Sequence, residues 1–114
     1  MIAALLLAAA SPAQPPFQKI CGWLHNPTPA NWWLTDRAGQ WTLSSQGGRQ
    51  APGWEEIGGT NSGEWVETNG SYGYGCACAS MRVDRTAGEV IEIRSLEPRP
   101  IKACRGNKRL PKPD

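Results

Sequence analysis

Trp65-Val66-Glu67-Thr68-Asn69-Gly70-Ser71-Tyr72-Gly73-Tyr74-Gly75-Cys76-Ala77-Cys78 holds the strongest turn signal of the chain, both of its tyrosines and half of its cysteines. Asn-Gly is the preferred pair for a two-residue type I′ turn, because both central positions need φ above zero. A turn at Asn69-Gly70 sets Thr68 opposite Ser71, Glu67 opposite Tyr72, Val66 opposite Gly73 and Trp65 opposite Tyr74, the last an aromatic cross-strand pair. Alternation then puts Tyr72, Tyr74, Cys76 and Cys78 on one face, and Gly73, Gly75, Ala77, Ala79, Met81 and Val83 on the other. A straight strand running on to Val83 would be roughly 40 Å long, so a bend or bulge is expected at Gly73 and Gly75.

The four cysteines, Cys21, Cys76, Cys78 and Cys104, predict two disulfides in a chain of 114 residues. Cys76 and Cys78 are too close in sequence to bridge each other without strain. Two pairings stay open: Cys21 with Cys76 and Cys78 with Cys104, or Cys21 with Cys78 and Cys76 with Cys104. Either one pins both ends of the domain to the central strand. A four-cysteine zinc site fits poorly, because Cys-x-Cys with distant single partners lacks paired C-x2-C knuckles, and no metal or cofactor is expected.

Residues 2–10 form an unbroken apolar run followed by Ser11-Pro12-Ala13, which reads as a signal peptide cleaved after Ala13. The run is far shorter than the roughly 20 residues of a membrane span, and Pro12, Pro15 and Pro16 end any helix. The expected organisation is a signal peptide over 1–13, a linker over 14–20, one disulfide-stapled β-domain over 21–105 and a basic flexible tail over 106–114. The expected location is periplasmic or secreted. Twelve basic side chains face ten acidic ones, a net charge of +2. That balance is nearly neutral, and nucleic acid is not expected as a partner, because an exported chain does not normally meet it and no recognisable module is present. Lys102, Arg105, Lys108, Arg109 and Lys112 gather near the C-terminus, where Pro111 and Pro113 point to a solvated tail; attraction to anionic envelope polymers is the alternative.

Ahead of the hub, Cys21-Gly22-Trp23-Leu24-His25-Asn26 is stopped by Pro27-Thr28-Pro29 and reads as an edge strand or irregular segment. Asn31 to Thr35 and Gln40 to Ser45 form a second hairpin around Asp36-Arg37-Ala38-Gly39. An even-length turn there gathers Trp32, Leu34, Trp41 and Leu43 on one face and leaves Trp33 on the other. Residues 46–63 read as a long glycine-rich loop with one short helical turn. Past the central strand, a loop of Thr86-Ala87-Gly88, with Gly88 left-handed, sets Val83 opposite Ile91, Arg82 opposite Glu92 and Met81 opposite Ile93. A last strand over 89–96 ends before Pro98 and Pro100. The fold class is therefore all-β, mainly antiparallel: five or six strands curled into a barrel-like or sandwich arrangement.

Taken together, Cys21-Gly22-Trp23-Leu24-His25-Asn26-Pro27-Thr28-Pro29-Ala30-Asn31-Trp32-Trp33-Leu34, the Ser45-Gln46-Gly47-Gly48 corner, the stretch from Trp65 to Cys78 and the late Cys104 resemble a family of small exported proteins of Gram-negative bacteria classed as a domain of unknown function. The resemblance covers residues 21–110. It implies export and one autonomous domain, and it implies no activity.

Catalytic chemistry has little support in the residues. His25, the single histidine, could be combined with Ser44 or Ser71 and Asp36, yet neither serine sits in a nucleophile elbow, and a local hydrogen-bonding role beside Pro27 is expected instead. Carboxylate pairs such as Glu55 with Glu56, or Glu64 with Glu67, would need a cleft that a domain this small seldom forms. Six tryptophans are more than a small core ordinarily uses. Trp32, Trp41 and Trp65 have apolar neighbours in the hairpin pattern, which leaves Trp23, Trp33 and Trp54, with Tyr72 and Tyr74, as the candidate binding surface. The expected function is a non-catalytic envelope binding module that contacts a glycan or peptidoglycan. A proteinaceous inhibitor of a secreted hydrolase, using the loop over 46–63, is the second reading, and a small hydrolase the third.

Overall fold

A computed structural model describes residues 14–58 and 63–113. The expected signal peptide over 1–13 lies outside the described residues. Six strands follow in order: β1 (Gln18–Thr28), β2 (Asn31–Asp36), β3 (Gly39–Ser44), β4 (Val66–Asn69), β5 (Tyr72–Asp84) and β6 (Glu89–Arg99). A short helix α1 (Trp54–Ile57) precedes β4, and α2 (Ile101–Arg105) follows β6. All pairings are antiparallel, and the sheet order is β3-β2-β1-β5-β4. β6 shares with β4 the second edge of β5.

β1 is therefore central, flanked by β2 and β5, and not the edge or irregular segment its prolines suggested. The reason is register. Pairing with β5 runs unbroken from Gln18↔Met81 to Asn26↔Gly73 and stops one residue before Pro27, so neither proline removes a ladder hydrogen bond. Residues 18–20, expected as linker, belong to this strand. The same unbroken register means that β5 carries no bulge at Gly73 or Gly75. Those glycines answer a different need. A Cβ at Gly73 would lie 1.8 Å from the Val66 carbonyl oxygen, and one at Gly75 would meet the Trp65 ring. Here β4 crosses too close to β5 for any side chain.

Bulges fall on β3, β4 and β6 instead, and one further register shift lies between His25 and Thr28 at the end of β1. Asn69 pairs with Tyr72 and Glu67 with Gly73, so Thr68 is an extra residue in β4. The turn consists of Gly70 and Ser71, and Gly70 rather than Asn69 has the positive φ, 61°. In consequence Val66, not Trp65, faces Tyr74. On β6, Ile91 and Arg94 are extra residues. They allow Val90 and Ile93, spaced by three, both to reach the core. Val83 consequently faces Val90 and not Ile91, while Met81↔Ile93 and Arg82↔Glu92 hold as expected. β6 also continues through Pro98 to Arg99; as an edge strand it can leave the proline's missing N–H on the unpaired side.

The inner face buries Ile20, Leu24, Leu34, Trp41, Leu43, Trp54, Ala77, Ala79, Met81, Val83, Val90 and Ile93 in one core. The sheet curls over it without closing into a barrel. Residues 45–53 bridge the gap between β3 and β6: Ala51 N–H donates to the Leu43 carbonyl at 2.8 Å, Ile93 N–H donates to the Pro52 carbonyl at 2.9 Å, and Arg49 donates to the Val90 carbonyl at 2.8 Å. Gly53 has φ 94° and passes so close to the Ile93 carbonyl that a Cβ would sit 1.9 Å from its oxygen. The β2–β3 hairpin follows its pattern near the turn, with Leu34 opposite Trp41 and Trp33 opposite Thr42, but Leu43 is an extra residue in β3, so Trp32 pairs with Ser44.

The bridges are Cys21–Cys78 and Cys76–Cys104. Cys21 and Cys78 are directly opposed on β1 and β5, whereas Cys104 comes from α2, on the outer face. A second, smaller core results there, with Trp23, Cys76, Ile101 and Cys104 buried and Val66, Tyr74 and Leu110 packed against them. The region expected to be a flexible tail over 106–114 is thus in part docked: Leu110 packs on this cluster, and its N–H donates to the Asn107 carbonyl at 3.1 Å.

Candidate functional site

Odd-numbered residues of β1 and even-numbered residues of β5 point to the outer face, because successive side chains alternate and the even positions Ile20 and Leu24 are in the inner core. Rows of outward side chains therefore cross the sheet. One row reads Thr42, Trp33, His25, Tyr74 and Val66, each directly opposed to the next across β3, β2, β1, β5 and β4. The next reads Gln40, Thr35, Trp23, Cys76 and Arg99. α2 and Leu110 cover this second row at Trp23 and Cys76. The first row stays open, and all five of its side chains are half-buried.

Within the open row, the His25 imidazole and the Trp33 indole are stacked with centroids 5.5 Å apart and planes at 24°. Tyr74 lies 6.0 Å from His25, tilted by 43°, and meets the buried Trp23 edge-on at 5.4 Å. Trp33 to Val66 spans three inter-strand spacings, about 14 Å. Desolvation by the surrounding rings lowers the His25 pKa below its ordinary 6.5, so the imidazole is neutral at neutral pH. The row is then an uncharged strip of ring faces on a paired sheet, with a donor or acceptor at the Tyr74 hydroxyl and at the imidazole.

Of the aromatic residues singled out from the sequence, Trp33, Tyr72 and Tyr74 lie on this face and are half-buried. Trp23 and Trp54 are 2% and 4% exposed and offer no surface for contact. Trp23 is roofed by α2, and Trp54 is held in the inner core by α1 beside Trp32, 5.5 Å away. Trp65, half-buried, lies at the core margin 6.2 Å from Trp32. His25 was missed as a member of the strip; its position two residues after Trp23, on the same face, was the available signal.

Asp36 caps its own turn, its Oδ1 accepting from the Ala38 and Gly39 amides at 2.9 and 3.2 Å and from the Trp41 indole N–H at 3.1 Å. Ser44 is buried in β3 and Ser71 occupies the exposed β4–β5 turn. The sheet thus does not assemble these groups with His25 into a triad. Glu55 and Glu56 are both exposed on α1. Within the loop over 46–63, residues 49–52 are tied by hydrogen bonds to Leu43 of β3 and to Val90 and Ile93 of β6. Among the described residues, no group of three or more His, Cys, Asp or Glu side chains could hold a metal ion, and no helix is long and apolar enough to cross a membrane.

Residues 16–111 match the family described as "Protein of unknown function (DUF4087)". The chain belongs to this family. The match spans every strand, both disulfides and the docked C-terminal segment of this chain. The DUF4087 description assigns no activity. No curated protein and no solved structure matches the chain. Two bridges and no free cysteine among the described residues suit an oxidising environment for this member.

Proposed function

We propose that the protein is exported and acts outside the cytoplasm as a non-catalytic binding module that contacts an envelope glycan, such as a peptidoglycan strand, through the outer aromatic strip. The observation that carries this reading is the row Trp33, His25, Tyr74: three rings from three adjacent strands, on one face, left uncovered where the neighbouring row is roofed. Ring faces present apolar area to the C–H faces of a sugar, while the Tyr74 hydroxyl and the imidazole offer hydrogen bonds at the edges. A paired sheet stapled twice holds these rings before any ligand arrives, which limits the entropy lost on binding. Export is supported by the apolar run over 2–10 with its small-residue end and by the bridged cysteines.

The test is titration of the oxidised protein with chitin oligosaccharides and with soluble peptidoglycan fragments, read by intrinsic fluorescence and by calorimetry. Saturable binding that drops at least tenfold in Trp33→Ala supports the reading. Absence of binding across the panel, or binding that Trp33→Ala leaves intact, rejects it.

A further inference from the structure

On the other side of the C-terminal segment from the aromatic strip lies a cleft of about 460 Å³. Four separate parts of the chain form it: Lys19 and Cys21 from β1, residues 36–38 from the β2–β3 turn, Arg85 from the β5–β6 turn, and Asn107, Arg109 and Leu110 from the segment after α2. The lining holds four cations, Lys19, Arg37, Arg85 and Arg109, against the single carboxylate of Asp36. Its formal charge of +3 exceeds the +2 of the whole chain. A third of the chain's twelve basic side chains therefore meet at this concavity.

Among the described residues, no ion pair neutralises this charge. The ion pairs among the described residues are Arg49–Glu89, Arg82–Glu92 and Arg99–Glu97, and none includes a cation of the cleft. The Oδ1 of Asp36 is engaged by two turn amides and the Trp41 indole, so this carboxylate is committed to shaping the turn. Two of the cations are also positioned. Arg85 lies over the Trp41 ring, 5.6 Å from its centroid, and its Nη2 donates to the Gln18 Oε1 at 2.8 Å. The Arg109 backbone N–H donates to the Asn107 Oδ1 at 3.1 Å, next to a Leu110 anchored on the outer core. Like charges gathered in one concavity repel, and the arrangement is relieved when an anion enters. The volume falls within the range of about 300–1,000 Å³ usual for small-molecule sites.

We propose that this cleft is an anion-binding site for a small molecule carrying two or more phosphate or carboxylate groups. Three of the four cations are guanidinium groups, whose paired N–H donors match both kinds of oxyanion. A single negative charge would leave most of the cleft unpaired, which is why the ligand must carry several. The site involves no residue of the aromatic strip and stands whether or not the strip binds a glycan.

Isothermal titration calorimetry of the oxidised full chain tests it with three probes: glucose 1,6-bisphosphate, citrate and uncharged glucose. The expected result is saturable one-to-one binding of the bisphosphate, of citrate or of both, with no heat from glucose. Preference for one probe tells phosphate from carboxylate. Arg37→Ala and Arg109→Ala each weaken binding by about five- to tenfold, because each removes one charge-assisted contact. Lys102→Ala, a cation of α2 outside the cleft, and Trp33→Ala leave it unchanged. Arg37 and Arg109 are exposed, and unchanged thermal midpoints show that the variants stay folded. Lack of binding by both anions overturns the proposal. So does an equal loss in Lys102→Ala, which would mean diffuse attraction to a basic surface.

Discussion

His25 and Trp33 face each other across β1 and β2, their rings stacked at 5.5 Å. The stack fixes how stability responds to acid. Burial lowers the His25 pKa below 6.5 in the folded state, so the unfolded chain takes up a proton first as pH drops. Stability is therefore unaffected by this group well above pH 6.5, falls as pH is lowered through 6.5, and stops falling once the folded imidazole also titrates. His25→Phe keeps a ring beside Trp33 and removes that slope. Urea midpoints at pH 7.5 and 5.5 should differ more in the wild type than in the variant, and an NMR titration should place the imidazole below 6.5. An imidazole that titrates at or above 6.5 contradicts the packing.

Gly22 and Gly73 should tolerate no side chain. A Cβ at Gly22 would fall 1.9 Å from the Thr35 carbonyl oxygen, and one at Gly73 would fall 1.8 Å from that of Val66. Backbone cannot yield as a flexible side chain does, so Gly22→Ala and Gly73→Ala should each cost more than about 3 kcal/mol or prevent folding. Gly70 also lies in a turn, but its Cβ would meet nothing within 4 Å, and only its φ of 61° is at stake. Gly70→Ala should cost about 1–2 kcal/mol. Equal losses at all three positions in chemical denaturation would contradict the close crossing of the strands.

The Cys76–Cys104 bridge closes a loop of 28 residues, for which chain entropy gives about 3–4 kcal/mol. Replacing both cysteines by alanine should cost about that much and loosen α2 from the outer face. Trp23 is buried under α2, so its share of the emission should shift to the red and become more accessible to acrylamide. Comparison with the same variant carrying Trp23→Phe isolates that share. Emission from Trp23 that does not change would mean that Ile101 and Leu110 hold the roof without the bridge.

What could be read from the residues was whatever depends on alternation within one strand or on a local turn. Leu34, Trp41 and Leu43 could be placed together because a hairpin fixes its own register, and Gly88 could be placed as left-handed because a short loop demands it. Bulges at Thr68, Ile91 and Arg94 were illegible, since the extra residue is chosen by how an edge strand must bend over the core and carries no side-chain mark. The same limit applied to the site. Trp23 and Trp33 look alike in sequence, and only the docking of α2 onto one of them separates a roofed ring from an open one. Lys19, Arg37, Arg85 and Arg109 are spread over 90 positions, so their convergence is a property of the topology alone.

Asn26 is one of the two buried polar residues among the described residues, and it holds the β1–β2 turn in place of the ladder that Pro27 ends. Its Nδ2 donates to the Thr28 carbonyl at 2.9 Å and to the Asn31 carbonyl at 2.8 Å, closing the turn from inside. Between those acceptors Ala30 has φ 62°, a conformation that an L-residue other than glycine adopts at a cost. The turn thus combines one strained residue with one side-chain brace. Asn26→Ala removes the brace and leaves two partly buried carbonyls short of a donor, which should lower stability by about 1–3 kcal/mol. Ala30→Gly relieves the strain but frees the unfolded chain, so the net gain should be positive and no more than about 1 kcal/mol. Urea denaturation of the two single variants and the double variant checks both. Because the groups share one turn, the effects should not add; strict additivity would mean that Asn26 does not hold Ala30 in its left-handed conformation.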